Sequence, residues 1–168
     1  MFKILLAIAL SGSADFQPWA SFGKGAGFDG IDYQVDIATI GGGGMFADRP
    51  VWNYSFRRTK TAGKRKTTYW TDTLRCPAAR SLLKKLVNVS PPRPWAPGIA
   101  NPFIKGEEKI TLDGSFYELK VPTHYDGTMF GETSSFTSNA GTPLANWIDE
   151  SLKTLEPCWD AKRPPPSF

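Results

Sequence analysis

Two stretches of the chain repeat apolar residues at the three- and four-residue spacing of an amphipathic helix. They cover residues 73–87 and residues 141–159. The apolar stripes consist of Ala79, Leu82, Leu83, Leu86 and Val87 in the first, and of Leu144, Trp147, Ile148, Leu152 and Leu155 in the second. Pro77 and Pro143 suit the first helical turn, and Thr142 suits the cap before it. We therefore predict two helices that pack one face each on a core.

Each helical stretch carries one of the only two cysteines of the chain. Cys76 lies three residues before Ala79, and Cys158 lies three residues after Leu155. Both cysteines thus continue an apolar stripe, which predicts a Cys76–Cys158 disulfide that joins the two helices. Two unpaired buried thiols are the alternative.

Residues 31–40 alternate with the two-residue period of a half-buried strand. The apolar side is Ile31, Tyr33, Val35 and Ile37, and the polar side is Asp32, Gln34 and Asp36. The four glycines that follow, residues 41–44, lack the Gly-Lys-Ser/Thr signature of a phosphate-binding loop, so they indicate a turn. Residues 15–30 are rich in glycine and predict irregular structure.

Two hairpins are predicted further along the chain. Residues 51–60 and 65–71 are β-prone runs separated by a short loop that contains Gly63. Residues 107–121 alternate on both sides of Asp113 and Gly114, a favoured tight-turn pair. The region around residues 134–137 fits either a loop or a short strand. Together these patterns predict an α+β fold, with an antiparallel sheet built of hairpins, two amphipathic helices packed on it and one disulfide.

The first fourteen residues have the order of an export signal. Lys3 precedes an apolar run over residues 4–10, and Gly12, Ser13 and Ala14 supply a small-residue cleavage site. A buried first strand is the alternative. We expect a signal peptide over residues 1–14, a single domain over residues 15–159 and a loose C-terminal tail over residues 160–168. The length of 168 residues and the 40% of hydrophobic residues fit one domain with a core.

Positive charge is concentrated in one part of the chain. Between Arg57 and Lys85 there are ten basic residues and one acid, Asp72, so this segment carries +9 in a chain of net charge +4. The remainder is therefore −5. Six of the basic residues fall in the first hairpin beside two aromatic residues, a combination that suits anionic partners. The candidate binding residues are Arg57, Arg58, Lys60, Lys64, Arg65, Lys66, Tyr69 and Trp70. The alternative is a solvated hairpin whose charges keep the sheet edge from pairing with neighbours.

The sequence contains no motif that indicates catalysis. His124 is the only histidine and has no nucleophile motif around it. Asp29, Asp32 and Asp36 lack the spacing of a calcium loop, and Asp32 and Asp36 fit a solvated strand face. We therefore predict no catalytic residue, no metal site and no cofactor.

The combined expectation is a periplasmic or secreted, non-catalytic binding or envelope-associated protein. Its expected partner is an anionic envelope component or another polyanion rather than nucleic acid, because export separates the protein from nucleic acid. Two alternatives remain: an exported hydrolase whose site is assembled only by the fold, and a structural accessory protein. The sequence gives no indication of the oligomeric state.

Overall fold

The computed structural model of the chain describes residues 16–25, 27, 30–40, 52–91, 114–124 and 131–164. The strands in these residues are β1 (Pro18–Lys24), β2 (Ile31–Thr39), β3 (Tyr54–Ala62), β4 (Arg65–Asp72), β5 (Phe116–Thr123) and β6 (Glu132–Asn139). The helices are α1 (Pro77–Leu86) and α2 (Pro143–Leu155), and a short 3₁₀ turn, Glu156–Cys158, follows α2.

The six strands form one antiparallel sheet in the order β4-β3-β2-β1-β5-β6. Strands β2, β3 and β4 follow one another along the chain, and β5 and β6 form a second consecutive pair. Strand β1 lies between these two groups and bonds to both β2 and β5. The predicted α+β fold with an antiparallel sheet and two packed helices is confirmed.

Strand β1 is the element that the sequence pattern missed. We predicted irregular structure over residues 15–30, and this was wrong, because residues 18–24 form a central strand of the sheet. Ala20 and Phe22 are buried, and they alternate with Ser21 and Gly23 on the other face. Two apolar positions among small residues make a weak pattern, and the hydrogen bonds to both neighbouring strands compensate for the low β-propensity.

Both helices pack on one face of the sheet. Phe22 of β1 meets Trp147 of α2 edge to face, with ring centroids 5.1 Å apart. The indole nitrogen of Trp147 donates a hydrogen bond to the Leu82 carbonyl of α1 at 3.3 Å. The buried apolar core between sheet and helices contains Ala20, Phe22, Val35, Ile37, Phe56, Cys76, Ala79, Leu82, Tyr117, Leu119, Leu144, Ala145, Trp147, Ile148 and Leu155.

The predicted disulfide between Cys76 and Cys158 is present. The two Cα atoms lie 5.8 Å apart, within the range that a disulfide spans. Cys76 is the residue before α1, and Cys158 ends the 3₁₀ turn after α2. The bond therefore joins the start of one helix to the end of the other.

The helices are shorter than the stretches from which they were predicted. α1 begins at Pro77, because Asp72 accepts hydrogen bonds from the backbone of Leu74 and Arg75 and holds residues 73–75 in a turn. Val87, which we placed in the apolar stripe, lies beyond α1 and is 85% exposed. The predicted cap is confirmed, since the Thr142 hydroxyl accepts from the Ala145 backbone at 3.1 Å.

Three further expectations concern residues 134–137, the C-terminal tail and the segments outside the described residues. The region around residues 134–137, which fitted a loop or a strand, belongs to strand β6. Asp160, where we expected a loose tail to begin, forms a two-hydrogen-bond bridge with Trp70 of β4. The signal segment, residues 41–44 and the first half of the second hairpin, residues 107–113, lie outside the described residues.

Candidate binding site

The first predicted hairpin is formed by β3 and β4 and closes through a two-residue turn. Gly63 occupies the first central position with φ of 56°, and Lys64 occupies the second. A positive φ at the first position alone is the pattern of the type II′ turn, which matches the twist of a hairpin. Lys64 and Arg65 are therefore carried at the extreme end of the sheet.

Strand alternation divides the eight candidate binding residues between the two faces of the sheet. Arg57, Lys66 and Trp70 lie on the face opposite the helices, which we call the open face. Arg58, Lys60, Arg65 and Tyr69 lie on the helix side, and Lys64 lies in the turn. The hairpin therefore does not present these residues as one continuous surface along its strands.

Arg57 is committed to an ion pair on the open face. Its Nε and one terminal nitrogen donate to the same Asp36 oxygen at 3.1 and 2.7 Å. Gln34 donates to the other Asp36 oxygen at 2.9 Å, so the buried carboxylate is fully engaged. The Arg57 guanidinium also lies 4.6 Å from the ring centroid of Phe16. The expectation that Asp36 lies on a solvated strand face was wrong, because this residue is only 6% exposed.

Arg58 is held by contacts on the helix side of the sheet. Its guanidinium lies between two aromatic rings, 4.9 Å from the centroid of Tyr69 and 4.8 Å from that of Trp159. It also forms an ion pair with Glu156. A buried arginine held in this way connects β3 to the segment after α2, and it is not accessible to a large anionic partner.

Four cations remain at the end of the hairpin, and we call Lys60, Lys64, Arg65 and Lys66 the hairpin tip. All four lie within three residues of Gly63. Lys64, Arg65 and Lys66 are exposed, while Lys60 is partly buried with its ammonium 5.6 Å from the Tyr33 ring centroid. No ion pair of these four side chains occurs within the described part of the chain. The tip is thus a concentrated positive surface.

The other basic residues of the +9 segment are dispersed. Arg75 lies 3.8 Å from the Asp72 carboxylate and 3.7 Å from that of Asp160. Arg80 donates to the Asn53 side chain at 2.9 Å, and Lys85 pairs with Glu150 of α2. The positive potential predicted from the sequence is therefore concentrated at the hairpin tip.

The open face forms a shallow trough of about 760 Å³. Five strands contribute to it, from β4 through β3, β2 and β1 to β5. Its side chains are mainly polar, and they include the acidic strand positions Asp32 and Asp36. Three of the candidate binding residues line it, Arg57, Lys66 and Trp70. The polar side of β2 was predicted only as a strand face, and Phe116 and Glu118 were missed because the order of strands in the sheet is not visible in local patterns.

A second cavity of about 540 Å³ lies on the helix side at the opposite end of the sheet. It is lined mostly by apolar residues, among them Trp19, Tyr54, Leu86 and Phe136. A structural accessory protein would present such an apolar surface to its partner.

The remaining sequence candidates do not assemble into a catalytic or metal centre within the described residues. His124 is exposed at the end of β5, where its ring lies beside Gly131. No group of three or more His, Cys, Asp or Glu side chains in that part of the chain could hold a metal ion. Asp29 lies outside it.

None of the helices described is long and apolar enough to cross a membrane. Comparison with protein-family models, with curated proteins and with solved structures finds no match to this chain.

Proposed function

We propose that the protein is an exported, non-catalytic binding protein whose hairpin tip holds an anionic component of the cell envelope. The observation that carries this proposal is the tip itself. Of the six cations predicted in the hairpin, Arg57 and Arg58 are held by Asp36 and Glu156, and the other four converge at the turn.

The chemistry of the tip suits a polymer of charges rather than a small ligand. Lys64, Arg65 and Lys66 are exposed in the turn and at the start of β4, so they form no enclosed pocket. Several cations close together produce a local positive potential that attracts a polyanion and raises its association rate. Such binding weakens with salt, because the screening length falls to about 8 Å at physiological ionic strength.

Export is supported by the disulfide. The Cys76–Cys158 bond joins the two helices, and disulfides persist in oxidising compartments such as the periplasm or the extracellular space. The intact mass of protein recovered from an export-competent host tests this part of the proposal. A mature chain that begins at or near Asp15 is expected, and recovery of the full-length chain from the cytoplasm would contradict export.

Binding to dextran sulfate and to vesicles that contain phosphatidylglycerol tests the polyanion proposal and separates an acidic glycan from a lipid surface. Neutral dextran and phosphatidylcholine vesicles serve as the uncharged probes. We expect binding to at least one anionic probe, and we expect it to weaken steeply between low and physiological salt. Replacing Lys64, Arg65 and Lys66 together by serine should reduce this binding strongly without unfolding the protein, since exposed charges contribute little stability.

The matched control removes the same charge elsewhere. Lys84, Lys153 and Lys162 are exposed on α1, on α2 and after α2, so their triple replacement by serine lowers the net charge equally. If both triple variants lose affinity by the same factor, only net charge matters and the tip is not the site. Binding that does not depend on salt would also contradict the proposal.

A further inference from the structure

The trough on the open face is built from three cross-strand rows of side chains. The row nearest the C-terminal end of α2 contains Trp70, Arg57, Asp36 and Ser21. The middle row contains Thr68, Thr59, Gln34, Gly23 and Glu118. The row nearest the hairpin tip contains Lys66, Thr61 and Asp32, and Phe116 lies beyond them on β5. The side chains of these rows thus form the floor of the trough, with the aromatic residues Trp70 and Phe116 at its β4 and β5 sides.

The trough is electrically balanced, in contrast to the hairpin tip. The side chains of these rows on the open face include three bases, Arg57, Lys66 and Lys120, and three acids, Asp32, Asp36 and Glu118. Arg57 is paired with Asp36, and Glu118 is paired at 3.1 Å with Lys120 of the same strand. A strongly charged ligand would find no net complementary potential here, so the charge balance favours an uncharged ligand.

The floor offers hydrogen-bonding groups of both kinds in a regular array. The hydroxyls of Thr59, Thr61 and Thr68 make no hydrogen bond within the described part of the chain, and each can donate and accept. Gln34 uses one amide hydrogen on Asp36, which leaves its second hydrogen and its oxygen for a ligand. Closely spaced groups of this type match a molecule that carries many hydroxyls.

An exposed aromatic ring lies at the β5 side of the trough. The Phe116 ring packs directly over Gly25, where any side chain would overlap it: a Cβ on Gly25 would lie 2.2 Å from the ring. The ring remains 55% exposed. At the opposite end, Trp70 and Phe16 meet edge to face at 5.2 Å. Flat apolar rings beside hydrogen-bonding groups suit the apolar faces and polar edges of sugar rings.

From these features we propose that the open face of the sheet binds a linear, uncharged oligosaccharide that runs across the strands. The five strands cover about 19 Å at the spacing of neighbouring strands, which accommodates several sugar rings. The proposal does not rest on the polyanion function of the hairpin tip, because it depends on uncharged chemistry and shares only Lys66 with the tip.

The test measures binding of four neutral probes to the full chain by calorimetry and by amide chemical shifts. The probes are cellohexaose, maltohexaose, laminarihexaose and chitohexaose. We expect at least one to bind with micromolar to millimolar affinity, and the affinity should be unchanged between low salt and about 0.5 M salt. The largest shift changes should fall on the middle row, at Gln34, Thr59, Thr68 and Glu118. If none of the four probes binds at millimolar concentration, the proposal is overturned.

Two variants of trough residues test whether the oligosaccharide binds there. Phe116→Ala removes the exposed ring and should weaken binding by about fivefold to tenfold. Thr59→Val combined with Thr68→Val keeps the shape of both strands, removes two hydroxyls from the floor and should weaken binding severalfold. Matched controls are Trp52→Ala, an exposed aromatic outside the trough, and Thr39→Val at the end of β2.

The controls should leave the affinity for the neutral probe unchanged, and so should Lys64→Ser combined with Arg65→Ser at the hairpin tip. If this tip variant abolishes neutral-glycan binding, or if the two trough variants leave it intact, the proposed site is wrong. Shift changes confined to residues outside the trough would overturn it as well, whether or not the variants fold. Loss of dextran sulfate binding in the tip variant would bear only on the proposed function.

Discussion

Arg57 and Arg58 are neighbours in sequence, but they serve opposite faces of the sheet. Arg57 holds the buried carboxylate of Asp36 on the open face. Arg58 passes to the helix side and lies between Tyr69 and Trp159. A sequence pattern treats both as members of a basic cluster, whereas the strand period of two separates them. Both side chains are held by local contacts. Only the four cations of the hairpin tip therefore remain as the candidate binding surface.

We predict that Arg58→Ala lowers the free energy of unfolding by about 1–3 kcal/mol, because it removes two cation–π contacts and the packing of the arginine stem. Glu156 is largely solvent-exposed and tolerates the loss of its partner. Arg58→Met keeps an apolar stem and should lose less. Urea denaturation measures both effects. Arg65→Ala at the exposed hairpin tip is the control and should stay within about 0.5 kcal/mol of the wild type; an equal loss in the Arg65 and Arg58 variants would contradict the prediction.

Lys24, Tyr117 and Asp149 connect β1, β5 and α2. The Tyr117 hydroxyl and the Lys24 ammonium both donate to Asp149, at 2.8 and 3.1 Å. Burial alone would lower the pKa of Lys24, but the hydrogen bonds to Tyr117 and Asp149 and the Asp149 charge raise it above its ordinary value. Burial raises the pKa of Tyr117, and Asp149 adds to this effect. Both groups are therefore held in their protonated forms.

A raised pKa contributes stability that is complete below the ordinary pKa values, near pH 10 for these groups, and that is lost as the pH rises through the raised values. We therefore expect the free energy of unfolding of the wild type to fall above about pH 10. Tyr117→Phe removes one of the two groups and should make this fall shallower. Urea denaturation at several values between pH 8 and about pH 11 measures the slope. Equal slopes in the wild type and the variant would show that Tyr117 does not contribute.

At the scale of elements, the sequence predicted those helices and strands whose own residues form a clear periodic pattern. Helix α2 has a cap, a proline and a strong apolar stripe, and β2 alternates cleanly, so both were predicted. Strand β1 carries only Ala20 and Phe22 on its buried face and is formed through its two neighbours. Its position at the centre of the sheet depends on long-range pairing, which no local pattern contains.

The hairpin tip and the trough also differ in whether local sequence patterns predict them. The hairpin and its turn were predicted, because Gly63 and the β-prone runs around it are local signals. The trough was not, because it requires Glu118 and Gln34 to lie in one row on opposite sides of Gly23. Only the order of the strands produces that row.

The cap of α2 provides a test at this scale. Thr142→Ala removes the acceptor of the Ala145 amide and leaves one helix-end donor without its partner. We expect a loss of about 1 kcal/mol in the free energy of unfolding. Thr142→Ser keeps the hydroxyl and should retain most of the stability. Urea denaturation of the two variants measures the difference, and equal stabilities would mean that the cap contributes nothing.

At the scale of the whole molecule, the two faces of the sheet have different roles. The helix side contains the apolar core, and the aromatic rings around Arg58 extend this packing beyond α2. The open face carries polar side chains over five strands, with no helix of the described chain packed on it. Stability therefore resides mainly on one face, and the polar side chains of the other face form the oligosaccharide site that we propose.

The disulfide joins the helix layer into one unit, and its removal is the most global test of the fold. Closing a sequence separation of 82 residues stabilises by about 4–5 kcal/mol in the chain-entropy model, whereas measured gains are typically about 2–4 kcal/mol. Replacing Cys76 and Cys158 together by alanine avoids a single reactive thiol and a buried hydroxyl. We expect Tm to fall by roughly 5–15 °C for a domain of this size. Reductant should lower the Tm of the wild type to that of the double variant and leave the variant unchanged. If the wild type and the double variant melt together under oxidising conditions, the bond does not stabilise the fold.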